Sequence, residues 1–307
     1  MDLPLKGIIP PLVTPLTENG ELDLHGLNNL IGHVMGGGVH GLFLLGTTGE
    51  GTSLSYKIRR QMVTETCNLV QNSIPLLVCI TDTALEESLH LAEHAKQAGA
   101  DVLVIAPPYY LPISQTEMQD YLELLLPKLP LPFLLYNMPS CTKLNLSIDT
   151  IKKARNMGAL GIKDSSGDLD YLKTLLKEFE NNKDFSIITG SELYLPETIL
   201  NGGHGAVAGG ANFFPKLFVD LYEASLARDM QRITLLRKKI VQIDNTIYNV
   251  GQNSSKYIKG IKSALAALGI CGDFTAPPVA RFDELDRGKI KAHMDEFFLD
   301  TSFSLTK

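Results

Sequence analysis

Short apolar runs alternate along this chain with longer stretches of helical period. Eight runs have strand character: Gly7–Val13, Gly41–Leu45, Leu76–Ile80, Val102–Ala106, Phe133–Tyr136, Leu160–Lys163, Phe185–Thr189 and Gly205–Ala208. Between them, apolar residues return with a period near 3.6. Leu85, Ser88, Leu89, Ala92 and Ala95 share one helical face, while Glu86, Glu87, His90, Glu93 and Lys96 point away. Thr83 stands three residues before Glu86, and Ser114 three before Glu117, the spacing of a capping box. Eight strand–helix repeats predict a closed (β/α)8 TIM barrel over residues 1–228, with an open doubly wound sheet as the alternative. After Asp229 the strands stop. Met230–Val250, Ser255–Leu268 and Arg287–Phe298 predict a three-helix extension, so residues 229–307 form a C-terminal helical region.

Alternation also says which side chains meet. If Leu134 fills the barrel, Tyr136 points to its mouth, with Phe133 and Leu135 turned outward. On the next strand Ala159, Gly161 and Lys163 face inward, and Leu160 and Ile162 face the helices. Adjacent strands lie about 4.8 Å apart, so Tyr136 and Lys163 converge at the C-terminal ends of the strands, where such barrels carry their chemistry. A lysine ending a buried strand is costly unless its amine has a task. That task is nucleophilic attack on a carbonyl to form a Schiff base, with the phenol beside it relaying protons. The plain alternative pairs Lys163 with Asp164.

Other strand ends add groups. Gly46-Thr47-Thr48-Gly49-Glu50-Gly51 offers hydroxyls and N–H groups to an anion such as the carboxylate of a 2-oxo acid, or is simply a tight turn. Tyr109 and Tyr110 lie in a proline-stiffened loop after the fourth strand. Ser191 and Glu192 follow the seventh strand, and Gly209-Gly210-Ala211-Asn212 after the eighth could hold a phosphate at a helix start. His90 and His94 are four apart, but they share a polar helix face and read as solvated rather than as metal ligands.

Composition narrows the class. With 307 residues, 44% hydrophobic and a net charge of −6, the chain builds a large core and presents no basic surface for nucleic acid. No apolar run reaches the roughly 18 residues of a membrane span. The four cysteines form no short framework and the N-terminus has no signal-peptide pattern, so a cytoplasmic protein with reduced thiols is expected.

Gly46-Thr47-Thr48-Gly49-Glu50, Pro108-Tyr109-Tyr110, Tyr136-Asn137-Met138-Pro139 and Gly161-Ile162-Lys163-Asp164, in this order and spacing, resemble the dihydrodipicolinate synthase / N-acetylneuraminate lyase family of Schiff-base pyruvate aldolases. The resemblance runs from about Gly7 through Ala267-Leu268-Gly269-Ile270. It implies a homo-oligomer, dimer or tetramer, that needs no metal and no organic cofactor and acts on pyruvate or another 2-oxo acid together with an aldehyde. It implies that Lys163 forms the imine, that Tyr136 relays protons, and that Thr48 links Tyr136 onward. Tyr110 would be lent across a dimer interface. Thr47 and Thr48 would cradle the carboxylate, and Gly190 and Val207 would touch the pyruvyl unit through their backbones. Ser191, Glu192, Cys141, Lys143 and Val207 would shape the pocket for the second substrate. One departure stands out. Family synthases usually carry an arginine where this chain has Cys141, and a thiol cannot pair bidentately with a carboxylate. Lys143, two residues on, is the available substitute. The expectation is therefore a lyase or aldolase for a sialic acid or a 2-keto-3-deoxy sugar acid. Dihydrodipicolinate synthesis, a dehydratase or hydratase-aldolase, and a non-catalytic 2-oxo-acid binder are the alternatives.

Overall fold

In a computed structural model the structure describes residues 4–299, so the first three residues of the N-terminal segment and the last eight of the C-terminal region lie outside it. The strands are β1 (Gly7–Ile8), β2 (Leu42–Leu44), β3 (Leu76–Cys79), β4 (Val102–Ile105), β5 (Phe133–Asn137), β6 (Gly161–Asp164), β7 (Ser186–Thr189) and β8 (Gly205–Ala206). All pair in parallel, in the order β1-β8-β7-β6-β5-β4-β3-β2. The two ends of this sheet meet. Pro11 bridges Phe43, Phe43 N–H donates to Pro10 O at 3.0 Å, and Leu12 N–H donates to Phe43 O at 2.9 Å. The eight strands therefore curl into a barrel with helices outside, the architecture expected for a parallel sheet with both faces covered.

Two apolar clusters divide the core. Ile9, Phe43, Leu77, Val104, Leu134 and Ile188 belong to the set that fills the barrel, and a larger set packs strands against helices. The alternation read for β5 holds: Leu134 and Tyr136 point in, Phe133 and Leu135 out. Before β6 it fails. Leu160 packs on the inner cluster and Ala159 on the outer one. The break falls at Gly161, where the chain crosses so close to β7 that a Cβ would lie 2.2 Å from Ser186 O.

Capping also departs in one place. Ser114 and Glu117 form the reciprocal box at the start of the helix Gln115–Leu125. Thr83 caps nothing. The helix Leu85–Ala98 starts at Ala84, and Asp82 Oδ1 takes the Thr83 and Ala84 N–H groups at 2.8 and 3.3 Å. The C-terminal region contributes helices Met230–Asn245, Lys256–Ala267 and Glu284–Leu299. No helix among the described residues is long and apolar enough to cross a membrane.

Candidate active site

The register of β5 against β6 sets Tyr136 opposite Lys163. Lys163 is 5% exposed, with its Nζ 3.9 Å from the centroid of the Tyr136 ring and 4.7 Å from that of Phe43. Burial brings its pKa down to about 7. No carboxylate of the described residues forms an ion pair with its amine, and the titratable groups that act on it are the thiols of Cys79 and Cys141, with burial pushing the Cys79 thiol up. Asp164, the alternative partner, points the other way. It accepts from Asn137 Nδ2 at 2.9 Å and from Ser166 N and Oγ at 3.1 and 3.0 Å. An ammonium would have little to stabilise it here beyond two aromatic faces, which makes the neutral amine accessible near neutral pH.

The Tyr136 hydroxyl lies 3.1 Å from Thr47 Oγ1. The hydroxyl that meets the phenol is thus Thr47, not Thr48. Leu45 and Glu50 both sit in the left-handed region, at φ 59° and 58°, and this sharp turn sends adjacent side chains to different neighbours. Thr48 lines the Lys163 cavity, as Tyr257 does. Burial holds the Tyr136 phenol well above its usual range, so it keeps its proton at rest.

Lys163 opens into a cavity of about 260 Å³, lined among others by Thr47, Thr48, Tyr136, Ser165, Ser191 and Asp244. Gly190, Glu192 and Val207 line it too. The Gly190 and Val207 N–H groups are spent on the sheet, donating to Asp164 O at 2.6 Å and Thr189 O at 2.8 Å, so a ligand contact from either backbone falls to its carbonyl. Gly190 has no room for a side chain, since a Cβ would lie 1.9 Å from Ser165 Oγ. Glu192 is buried, accepts the Gly210 N–H at 2.6 Å, and has its pKa pushed up by burial to about 7.

That bond also removes the phosphate reading of the Gly209–Asn212 turn. Gly210 N–H is used by Glu192, and the Asn212 side chain binds Val13 N–H, Pro11 O and Gly209 O. Cys141 does not line the Lys163 cavity. The short helix Pro139–Thr142 carries it into a neighbouring cavity of about 360 Å³ with Cys79, Thr81 and Tyr109. The two cavities share Thr47, Tyr136 and Met138. Lys143 is exposed, at φ 65°, and lines neither. Tyr110 is 87% exposed at φ 83°, standing off the rim.

Residues 4–296 match the model of the Dihydrodipicolinate synthetase family. The chain belongs to this family. Within it, the chain is similar to dihydrodipicolinate synthase from Bacteroides thetaiotaomicron, with 49% identity over 96% of this chain and all of that one, at a TM-score of 0.93. YagE of Escherichia coli K12, a prophage protein of the same family solved in complex with pyruvate, is 29% identical over 96% of this chain and 99% of its own, at a TM-score of 0.90. YjhH of Escherichia coli K12, whose name reads "Probable 2-dehydro-3-deoxy-D-pentonate aldolase", is 30% identical over 93% of this chain and 95% of its own length. The protein is an aldolase or carbon–carbon lyase of this family.

Family motifs do not reach three further groups of the site. Tyr248, Tyr257 and Asp244 line the cavity from the C-terminal region. Their sequence neighbourhood has helical period and nothing that marks chemistry, so only the packing of that region onto the barrel reveals them.

Proposed function

We propose that the protein is a Schiff-base aldolase that cleaves a 2-keto-3-deoxy sugar acid to pyruvate and an aldehyde, and runs the reverse condensation. The observation that carries this reading is the Lys163 amine, buried without a counter-ion at the floor of an open cavity and stacked over the Tyr136 ring. The neutral amine attacks C2 of the 2-oxo acid. Tyr136, through Thr47, supplies the proton with which the carbinolamine hydroxyl leaves as water, and an iminium remains. Loss of the C4 hydroxyl proton breaks the C3–C4 bond. The bonding pair moves into the iminium as an enamine, the aldehyde departs, and protonation at C3 followed by hydrolysis returns pyruvate and the free lysine. Thr47 and Thr48 hold the carboxylate in this scheme.

The substrate class is argued from the walls. Ser165, Ser191, Glu192 and Asp244 offer hydroxyl and carboxyl groups to a polyol, and the cavity lining carries no arginine. Carboxylates repel a second carboxylate, which a semialdehyde amino acid would bring, whereas they accept from sugar hydroxyls. Two relatives support this, YjhH by its name and YagE by the name "Putative 2-dehydro-3-deoxy-D-gluconate aldolase". The synthase reading keeps the 49% identical Bacteroides structure in its favour. A coupled assay of pyruvate release separates them. Release from 2-keto-3-deoxygluconate or 2-keto-3-deoxypentonate exceeds release from N-acetylneuraminate, and condensation of pyruvate with aspartate semialdehyde is slow. If that condensation is the one productive reaction, the synthase reading replaces ours.

Oligomerisation belongs to the same reading. The second cavity opens beside the Thr47–Tyr136 bond, and Tyr110 and Leu111 stand 87% and 70% exposed at a loop tip. Tyr110 from a second copy would enter that cavity and extend the relay from Thr47, so the active form is a dimer or a tetramer built from two such dimers, and we place it in the cytoplasm with its four free cysteines reduced. Tyr136→Phe tests the relay itself. Pyruvate binding persists within a few-fold while kcat falls by about 10² to 10³, the range of a lost proton-transfer group. Unchanged kcat in this variant would remove Tyr136 from the mechanism.

A further inference from the structure

Among the described residues, three clasps of one kind fasten neighbouring strands at their N-terminal ends. In each, a residue just before one strand donates its N–H to a carbonyl of the strand beside it, and its side chain takes the N–H of that same partner. His40 N–H donates to Ile8 O at 2.8 Å, and Ile8 N–H donates to His40 Nδ1 at 3.1 Å. His204 N–H donates to Ile187 O at 2.9 Å, and Ile187 N–H donates to His204 Nδ1 at 3.0 Å. Asp101 N–H donates to Leu76 O at 3.0 Å, and Leu76 N–H donates to Asp101 Oδ2 at 2.8 Å. The clasps join β1 to β2, β7 to β8 and β3 to β4.

The two histidine clasps hold the seam where the barrel closes. β1 and β8 have two residues each, so their own ladders hold them weakly. His204 O also accepts the Gly7 N–H at 2.8 Å, and one residue thereby ties β7, β8 and β1 together. The His40 ring is seated against Gly7, where a Cβ would lie 2.2 Å from its Cγ. At their other ends β7 and β8 lead into Gly190 and Val207, which line the Lys163 cavity.

A backbone N–H only donates, so Nδ1 of each histidine is the bare, accepting nitrogen and each ring is neutral. An imidazolium carries hydrogen on both nitrogens. It sets donor against donor, and the side-chain half of the clasp is lost. A carboxyl group in the same place keeps an accepting oxygen whether or not it is protonated, so the Asp101 clasp lacks this sensitivity.

We propose that His40 and His204 form an acid-sensitive lock on the barrel seam: their neutral imidazoles fasten the N-terminal ends of β7, β8, β1 and β2, and protonation releases those ends while Asp101 keeps β3 on β4. Both rings are half-buried, within reach of protons from solvent. Burial draws both imidazoles below their ordinary 6.5. Lys6 faces both rings and adds to the fall. Glu223, on the helix Pro215–Leu226, faces His40 and opposes it, and Tyr222 of that helix meets the ring edge-on at 5.1 Å. At His204 the Ile187 carbonyl opposes it. Because the folded values lie below 6.5, the unfolded chain takes these protons first as the pH falls. The stability the clasps contribute is whole above pH 6.5 and is lost as the pH drops through 6.5 toward the folded values.

Hydrogen exchange at pH 7.5 and pH 5.5, corrected for intrinsic rates and read amide by amide by fragmentation mass spectrometry, tests the lock in wild type, His40→Asn and His204→Asn. Asparagine Oδ1 stands where Nδ1 stands and accepts at every pH. The Leu76 amide, held by Asp101, is the reference within each molecule. In wild type, protection of the Ile8 and Ile187 amides falls about tenfold further than that of Leu76 between the two pH values, the scale of one lost hydrogen bond. His40→Asn abolishes the extra loss at Ile8 and keeps it at Ile187, and His204→Asn does the reverse. Should either variant fail to fold, the wild-type comparison with Leu76 still decides. Equal losses at all three amides in wild type, or an extra loss at Ile8 that survives in His40→Asn, would overturn the proposal.

Discussion

Lys163→Ala loses aldol cleavage by at least about 10⁴-fold, the scale on which removal of a covalent nucleophile acts. Among the described residues no other amine lines the cavity, so none of them replaces it. Wild-type activity in this variant would end the proposed scheme. The same burial makes a second readout available. Lys163 has its pKa lowered from 10.5 to about 7 by desolvation. Below pH 7 both the folded and the unfolded chain hold the proton, and the fold bears the full cost of a buried ammonium. Between pH 7 and 10.5 the unfolded chain binds one proton more than the folded chain, so stability contributed at this site rises with pH. Lys163→Met therefore melts above wild type at pH 6, and the gap narrows as the pH climbs from 7 toward 10. For catalysis the sign is the same. The neutral fraction, and with it the rate of imine formation, grows through about pH 7, where an unperturbed lysine would offer roughly one amine in 10³.

The largest loss of stability is expected from Glu50 and Lys262. Their side chains are 3% and 0% exposed and form an ion pair. Each is also bonded to the loop after the helix Lys256–Ala267: Ala276 N–H donates to Glu50 Oε1 at 2.7 Å, and Lys262 Nζ donates to Phe274 O at 2.7 Å. Glu50 closes the Thr47-Thr48 turn, and Lys262 shares its helix with Tyr257. The pair thus clamps the C-terminal region onto the Thr47-Thr48 turn. Removing one member of a buried pair strands the other, so Glu50→Gln and Lys262→Met each lower the unfolding free energy by about 3–5 kcal/mol in chemical denaturation. The double variant recovers much of that loss, because no charge is left buried. Single losses that simply add would show that the two residues act independently.

The parts of this site that local periodicity can carry were legible in advance. Strand alternation places Tyr136 beside Lys163 because both lie in regular extended chain, where side-chain direction follows position. It could not choose between Thr47 and Thr48, since left-handed residues at Leu45 and Glu50 turn the chain outside any period. It misplaced Leu160 for a related reason, the close crossing at Gly161. Cys141 was expected at the second-substrate pocket on family position, and the short helix after β5 carries it into the cavity that adjoins that of Lys163. Tyr248, Tyr257 and the Glu50–Lys262 pair are contacts between distant parts of the chain, and no spacing within either segment announces them.

The central claim is that one buried, readily deprotonated amine on β6 joins the substrate covalently. Mass spectrometry of peptides after borohydride reduction with pyruvate measures this most directly. The account predicts a single reduced pyruvyl adduct on the peptide that carries Lys163, absent from Lys163→Ala. Label on a different lysine, or an active wild-type enzyme that takes up none, would contradict it.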